Sequence, residues 1–374
     1  MIRSTYTLIV ITIAALFASA NVYAVEFSLY GETSVTNRSH DYENPSFIIG
    51  SLDLYTSKQV GENTSATVEI LLEDHGEGFE IDVERMAVEH RITDSFTLGA
   101  GRNHTPLGFW NYNYHHGVLV QDTVSRPFFL QFEGQHEGIF PTHMIGLYGI
   151  KDFFTENAIF RVNAAVANGP SIDTRTTNKH ATDLDTSNIT DFNINKMVVG
   201  RISYTHIKHR FQVGIFGMYN DIAESGDAQF GFNASRLANG ERLYDQSVAG
   251  IDFRLSKKSF YLMGEFFYLN TYDRINNPVI APFPGSHHSY AYYAQGGYRF
   301  TDQLTLIGRY EANQFDTSDS YYALREIEQE QHFVGGLRYD LTASSALRFE
   351  ANHSRPYNNF SHTTYTLQWF FLLL

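Results

Sequence analysis

The stretch LRYDLTASSALRFEAN, residues 337–352, reads as two short strands joined by a tight turn. Leu337 and Tyr339 alternate with Arg338 and Asp340, then Leu347 and Phe349 alternate with Arg348 and Glu350. A period of two puts apolar side chains on one face and charged ones on the other. The break near Leu341-Thr342 is too short for a crossover, so the two strands are neighbours and antiparallel. What this pattern means for the fold depends on how often it recurs.

It recurs along the chain. Alternating segments lie near 25–35, 46–59, 63–73, 79–91, 94–103, 142–150, 157–167, 196–206, 210–220, 244–255, 258–269, 289–300, 303–313, 330–340, 343–352 and 361–374. That makes sixteen segments, most about 10 residues long, the length a tilted strand needs to cross a bilayer. Their connections sort by parity. Even-to-odd joins are short: Gly61-Glu62, Thr93, Ile207–His209, Ser256-Lys257, Thr301-Asp302 and Leu341-Thr342, with Lys151–Glu156 somewhat longer. Odd-to-even joins are mostly long and polar: 36–45, 104–141, 168–195, 221–243, 270–288 and 314–329. A soluble sandwich has no reason to sort its loops this way. An outer-membrane barrel does, with short periplasmic turns and long external loops. The expected fold is therefore all-β, a sixteen-stranded antiparallel transmembrane barrel. The less favoured alternative is a secreted β-sandwich or β-helix.

Composition agrees. The 374 residues include 24 Tyr, 30 Phe, 28 Gly and no Cys, so disulfides play no part. Arg3, the apolar run Thr7 to Ala20 and the small-residue site Val22-Tyr23-Ala24 read as a secretory signal over 1–24, leaving 25–374 as one barrel domain. The net charge of −14 argues against a nucleic-acid partner.

A lipid-facing arginine near mid-membrane costs about 2–4 kcal/mol, so the charged parity of each strand faces the lumen. This places Arg161, Arg201, Arg254, Arg299, Arg309, Arg338 and Arg348 inside, with Phe160, Val162, Phe253, Leu255, Tyr298, Phe300, Leu337, Tyr339, Leu347 and Phe349 outside. The early strands carry the opposite sign: Glu26, Glu32, Asp53, Glu69, Glu80, Asp82 and Glu84 point inward. Parity slips between Glu84 and Val88, which predicts a β-bulge near Arg85-Met86. Two readings of the charges stand. They are ordinary polar lining, or opposed acidic and basic walls that set a field across the pore. Asp252, Glu265, Glu311 and Glu350 break the separation on the basic side.

Segment 104–141 is too long for an ordinary loop and so is expected to be functional. It is the third external connection. The strand count, the loop parity and this long third loop resemble the sixteen-stranded bacterial outer-membrane porins, whose third loop folds into the lumen and forms the constriction. GRNHTPLG at 101–108 is similar to a Gly-Arg-x-x-Thr-Pro-x-Gly pattern of phosphate-selective and related substrate-specific porins. Those members also carry lumenal lysines, which this chain almost lacks, so phosphate itself is not implied. The resemblance implies a constriction built from His104, Trp110, Tyr112, Tyr114, His115, His116, Asp122, Glu133 and Glu137, with Arg102 and Arg126 adding positive charge. Phe109, Phe128, Phe129 and Phe132 with the loop's other aromatics either pack it onto the wall or offer ring faces to solutes.

A bound metal at His115-His116 is the less favoured reading, since adjacent histidines on extended backbone point apart. The acidic tip Glu73–Gly78 and the run Asp183–Asp185 read as solvated loops rather than calcium sites. No cofactor and no catalytic residue is expected. The expected function is passive diffusion of small hydrophilic solutes and ions through a water-filled channel. Selectivity for an anionic or sugar ligand, and a receptor or adhesin role for the external loops, stay open beside it. Expected partners are outer-membrane lipid and lipopolysaccharide. Porins of this size commonly form trimers, so the resemblance also implies a homotrimer.

Overall fold

In a computed structural model, residues 27–38, 44–74, 78–114, 120–132, 138–173, 183–186, 196–225, 240–275, 281–357 and 359–373 are described. Among them, sixteen long strands close a single antiparallel barrel. They are β1 (Phe27–Arg38), β2 (Ser46–Gln59), β3 (Thr64–Asp74), β4 (Phe79–Thr93), β5 (Phe96–His104), β6 (His143–Phe154), β7 (Ala158–Asn168) and β8 (Lys196–His206). The second half has β9 (Phe211–Glu224), β10 (Arg242–Ser256), β11 (Phe260–Asp273), β12 (Ser286–Arg299), β13 (Leu304–Phe315), β14 (Glu330–Thr342), β15 (Ser345–Pro356) and β16 (His362–Leu372). Each strand pairs with its sequence neighbours. β1 closes the ring on β16, from Tyr30 opposite Leu372 to Arg38 opposite Thr364. A two-residue strand, Ser171–Ile172, adds to the outer end of β9 in parallel. Closure leaves none of these sixteen strands with an unpaired edge, as a membrane requires.

The alternation read from the sequence is the alternation of the wall. Ile202, Ile215, Ile251, Phe266 and Phe349 are exposed on the outside, while Arg201, Asp252, Glu265 and Arg348 on the other parity are buried. All sixteen expected strands are present, mostly shifted by a few residues at their ends. Two turns move, because the pairing continues past a register shift: Thr93 belongs to β4 and Asp94-Ser95 makes that turn, and Leu341-Thr342 belongs to β14 and Ala343-Ser344 makes the turn. The bulge lies one residue before the expected place. Glu69 pairs with Arg85 and Ile70 with Val83, so Glu84 is the extra residue.

Among the described residues, two short α-helices lie in the connections, α1 (Phe109–Asn113) in 105–142 and α2 (Ser320–Leu324) in 316–329, with a 3-10 turn at Phe128–Leu130. Both α-helices pack into one apolar cluster with wall residues of β4 and β6–β12. The core of the molecule therefore sits inside one side of the barrel. The expected signal segment and Glu26 fall outside the described residues, as do His115, His116, Glu133 and Glu137.

Candidate channel site

The motif at 101–108 is where the wall gives way to the loop. Gly101 has φ +128°, and a Cβ there would lie 2.2 Å from the Met86 carbonyl oxygen. Thr105 then bonds to Thr142, its N–H donating at 2.9 Å, and the Asn111 amide donates to the carbonyls of both Thr105 and Thr142. These bonds tie the two feet of the loop together. Gly108 has φ +79°, and a Cβ there would come within 2.1 Å of Glu265 Oε2. Glycine is thus required twice, once for strand pairing and once for close approach to the opposite wall.

The loop is bound to that wall through its backbone. Three inward carboxylates accept its N–H groups. Glu265 takes Trp110 at 2.6 Å, Glu350 takes Val124 at 2.8 Å and Ser125 at 3.2 Å, and Glu311 takes Phe128 at 2.8 Å. Three arginines take its carbonyls. Arg309 donates to Ser125 O at 2.9 Å and Arg126 O at 3.2 Å, and also to Ser125 Oγ at 2.7 Å. Arg338 donates to Gln121 O at 3.0 Å, and Arg348 to Thr123 O at 2.8 Å. Irregular backbone inside a barrel needs such partners, and charge-assisted bonds are the strong ones. Glu265, Glu311 and Glu350 had looked like exceptions on a basic wall. They are the acceptors for the loop, and their inward parity beside arginines was the only sequence signal of it.

Aromatic packing completes the seating. Trp110 and Phe129 are fully buried, with Trp110 edge-on to Tyr293 at 5.6 Å and Phe129 edge-on to Phe267 at 5.6 Å. Phe109 and Phe128 are buried as well, so these four rings pack onto the wall. Tyr112 and Tyr114 are half-buried, and burial raises the Tyr114 phenol above its ordinary value. Phe132 stacks on the Arg126 guanidinium at 3.9 Å. A second connection, unrecognised in the sequence, reaches the same place: Tyr321 of α2 donates to Ile139 O at 3.0 Å. The run Tyr321–Leu324 in a mostly polar loop was the available clue.

Most expected wall charges are neutralised locally. Arg201 makes a bidentate pair with Asp252 at 2.6 and 2.7 Å, and both are buried. Arg161 does the same with Asp152 at 2.7 Å in each bond. Arg102 lies 3.9 Å from Asp82, and Arg338 also bonds to Asp340 and Asp122. On the acidic side, Glu69 bonds to Arg85 and accepts the Tyr30 hydroxyl, and Glu84 meets His143 at 2.5 Å. Asp53 is buried, Glu32 and Asp82 are half-buried and Glu80 is exposed. His104 is buried, its ring 5.7 Å from that of His143. Among the described residues no three His, Cys, Asp or Glu side chains are placed to hold a metal ion.

Two chambers flank the loop strip 120–126. One, about 240 Å³, faces the long-loop end and is lined by Arg38, Arg126, His332 and His362. The other, about 290 Å³, opens toward the short turns and is lined by Tyr114, Tyr261, Arg254, Lys257, Lys258 and Arg299 among others. Arg254 lies over the rings of Phe109 and Tyr114 at 5.4 and 5.9 Å.

No family model and no curated protein matches the chain. Solved structures do. An anion-selective porin from Comamonas acidovorans aligns at a TM-score of 0.63 and 12% identity, covering 94% of this chain and 99% of that one. The outer membrane channel DcaP of Acinetobacter baumannii aligns at 0.61 and 10%, covering 93% and 97%. OmpT of Vibrio cholerae in its trimer form aligns at 0.59 and 9%, covering 94% and 99%. The chain has the fold of the porin barrels, over nearly its whole length.

Proposed function

We propose that the chain is a bacterial outer-membrane porin, a water-filled channel for passive diffusion of small hydrophilic solutes and ions. One observation carries the reading. A closed sixteen-stranded barrel, apolar outside, holds its third long connection against inward-facing charges of the opposite wall. A barrel of this strand number is wide enough for an aqueous path, and an inserted loop narrows it to a constriction near 104–141. The barrel neighbours described as an outer membrane channel and as an anion-selective porin support the same reading. Residues 1–24 act as the secretory signal and 25–374 form the channel, which needs no cofactor and catalyses no reaction. Its surroundings are outer-membrane lipid and lipopolysaccharide, and a homotrimer is the assembly we favour.

The test is single-channel conductance of the refolded protein in a planar bilayer, with reversal potentials in a KCl gradient. Steady ohmic openings are expected. Well-folded barrels that insert but pass no current would overturn the channel.

A further inference from the structure

We propose that the chamber on the short-turn side of the loop is a binding station for ring-bearing organic anions of the sugar-acid class. This deepens the channel reading and rests on it. Five cations, Arg254, Lys257, Lys258, Arg299 and Arg338, line this one chamber. Several wall cations elsewhere are matched to acids: Arg85 to Glu69, Arg161 to Asp152, Arg201 to Asp252 and Arg309 to Glu311. In the chamber only Arg338 is. Two acids line it, Asp122 and Asp340, and both are bonded to Arg338. Arg254, Lys257, Lys258 and Arg299 have no carboxylate within 4.0 Å among the described residues. In a chain of net charge −14, this is a local positive field with no carboxylate among the described residues in contact with these four cations.

The chamber also has the shape for more than a bare ion. Its volume of about 290 Å³ is at the lower end of small-molecule sites. Tyr114 and Tyr261 bring ring faces and hydroxyls to it, suited to a sugar ring that offers both C–H faces and hydroxyl groups. Arg254 rests on the rings of Phe109 and Tyr114, which limits its rotamer freedom before any ligand arrives. A guanidinium so held gives a carboxylate two parallel N–H donors. The lysines lie on the turn at the mouth, where they raise the local anion concentration.

The probe is glucuronate, with glucose as the neutral ring of the same size. Each is added to the short-turn side of single channels. Glucuronate is expected to interrupt the current in a saturable way and glucose is not. The double variant Arg254→Gln/Arg299→Gln is expected to raise the half-blocking glucuronate concentration at least tenfold. Arg355→Gln, which removes a cation at the far end of β15, is expected to leave it unchanged. Equal block by both sugars, or an unaltered half-blocking concentration in the double variant, overturns the proposal. Should folded barrels conduct nothing, the channel reading fails separately, and calorimetric titration of glucuronate into the same micelle-folded protein reads the chamber by itself. Saturable binding weakened by the double variant then sustains it, and absence of binding overturns it.

Discussion

The Glu265 carboxylate accepts the backbone N–H of Trp110 at 2.6 Å, joining two residues 155 positions apart. The same oxygen accepts the Tyr293 hydroxyl at 2.8 Å. This junction sits where Gly108 brings the loop against the wall. Gly108→Ala places a methyl against Glu265 and forces a non-glycine residue to φ +79°. Such backbone conformations cost of order 1–3 kcal/mol. The expected result is a displaced loop, seen as a changed single-channel conductance, in a barrel whose far-ultraviolet spectrum is intact. An unchanged conductance would show that this contact does not position the constriction.

Arg309 holds the middle of the loop through Ser125 and Arg126 while paired with Glu311, and both charges are fully buried. Removing one partner of such a pair leaves an uncompensated charge, a loss of about 3–5 kcal/mol. Arg309→Ala is expected to loosen the strip 121–126, raise the open-channel conductance and add current noise. Urea titration of vesicle-inserted protein measures the stability loss.

Trp110 is fully buried and the only other tryptophan, Trp369, is on the outer surface. In a Trp369→Phe background, emission reports the loop alone. We expect a blue-shifted maximum, resistant to aqueous quenchers such as iodide. Gly108→Ala and Arg309→Ala are each expected to shift it to the red. A wild-type emission already red-shifted and readily quenched would contradict the seating described above.

Asp319 caps α2 by accepting the Tyr321 N–H at 3.0 Å, and burial pushes its carboxyl up to about 6. An unfolded aspartate titrates near 3.9. The folded segment therefore holds a proton that the unfolded one releases between these values. Its contribution to stability is full below about pH 4 and is lost as pH rises through about 6. Asp319→Asn keeps an effective cap without the charge. Amide exchange of residues 320–324, corrected for intrinsic rates, is expected to be slower in the variant than in wild type at pH 8 and equal at pH 4.

Much of the architecture was written in local pattern. The alternation of Leu337, Arg338 and Tyr339, repeated sixteen times, is a statement about two faces, and the cost of a charge against lipid decides which face is which. Loop parity then orders the ends of the barrel. Even the bulge was legible, because an extra residue at Glu84 inverts the alternation after it. What could not be read was the partner of each charge. Arg201 and Asp252 lie on different strands that flank β9, and only the register that puts Gly214 opposite Asp252 leaves room for their contact.

By itself, then, the sequence determined the strand count, the outward and inward faces and the existence of a long third loop, since all three follow from periodicity and spacing along one chain. Only the tertiary structure decided that Glu265, Glu311 and Glu350 hold that loop, and that Arg254 and Arg299 are left without carboxylates beside a chamber. Those relations arise when strands distant in sequence face each other across a closed barrel, where distance and desolvation rather than sequence order set which charges meet.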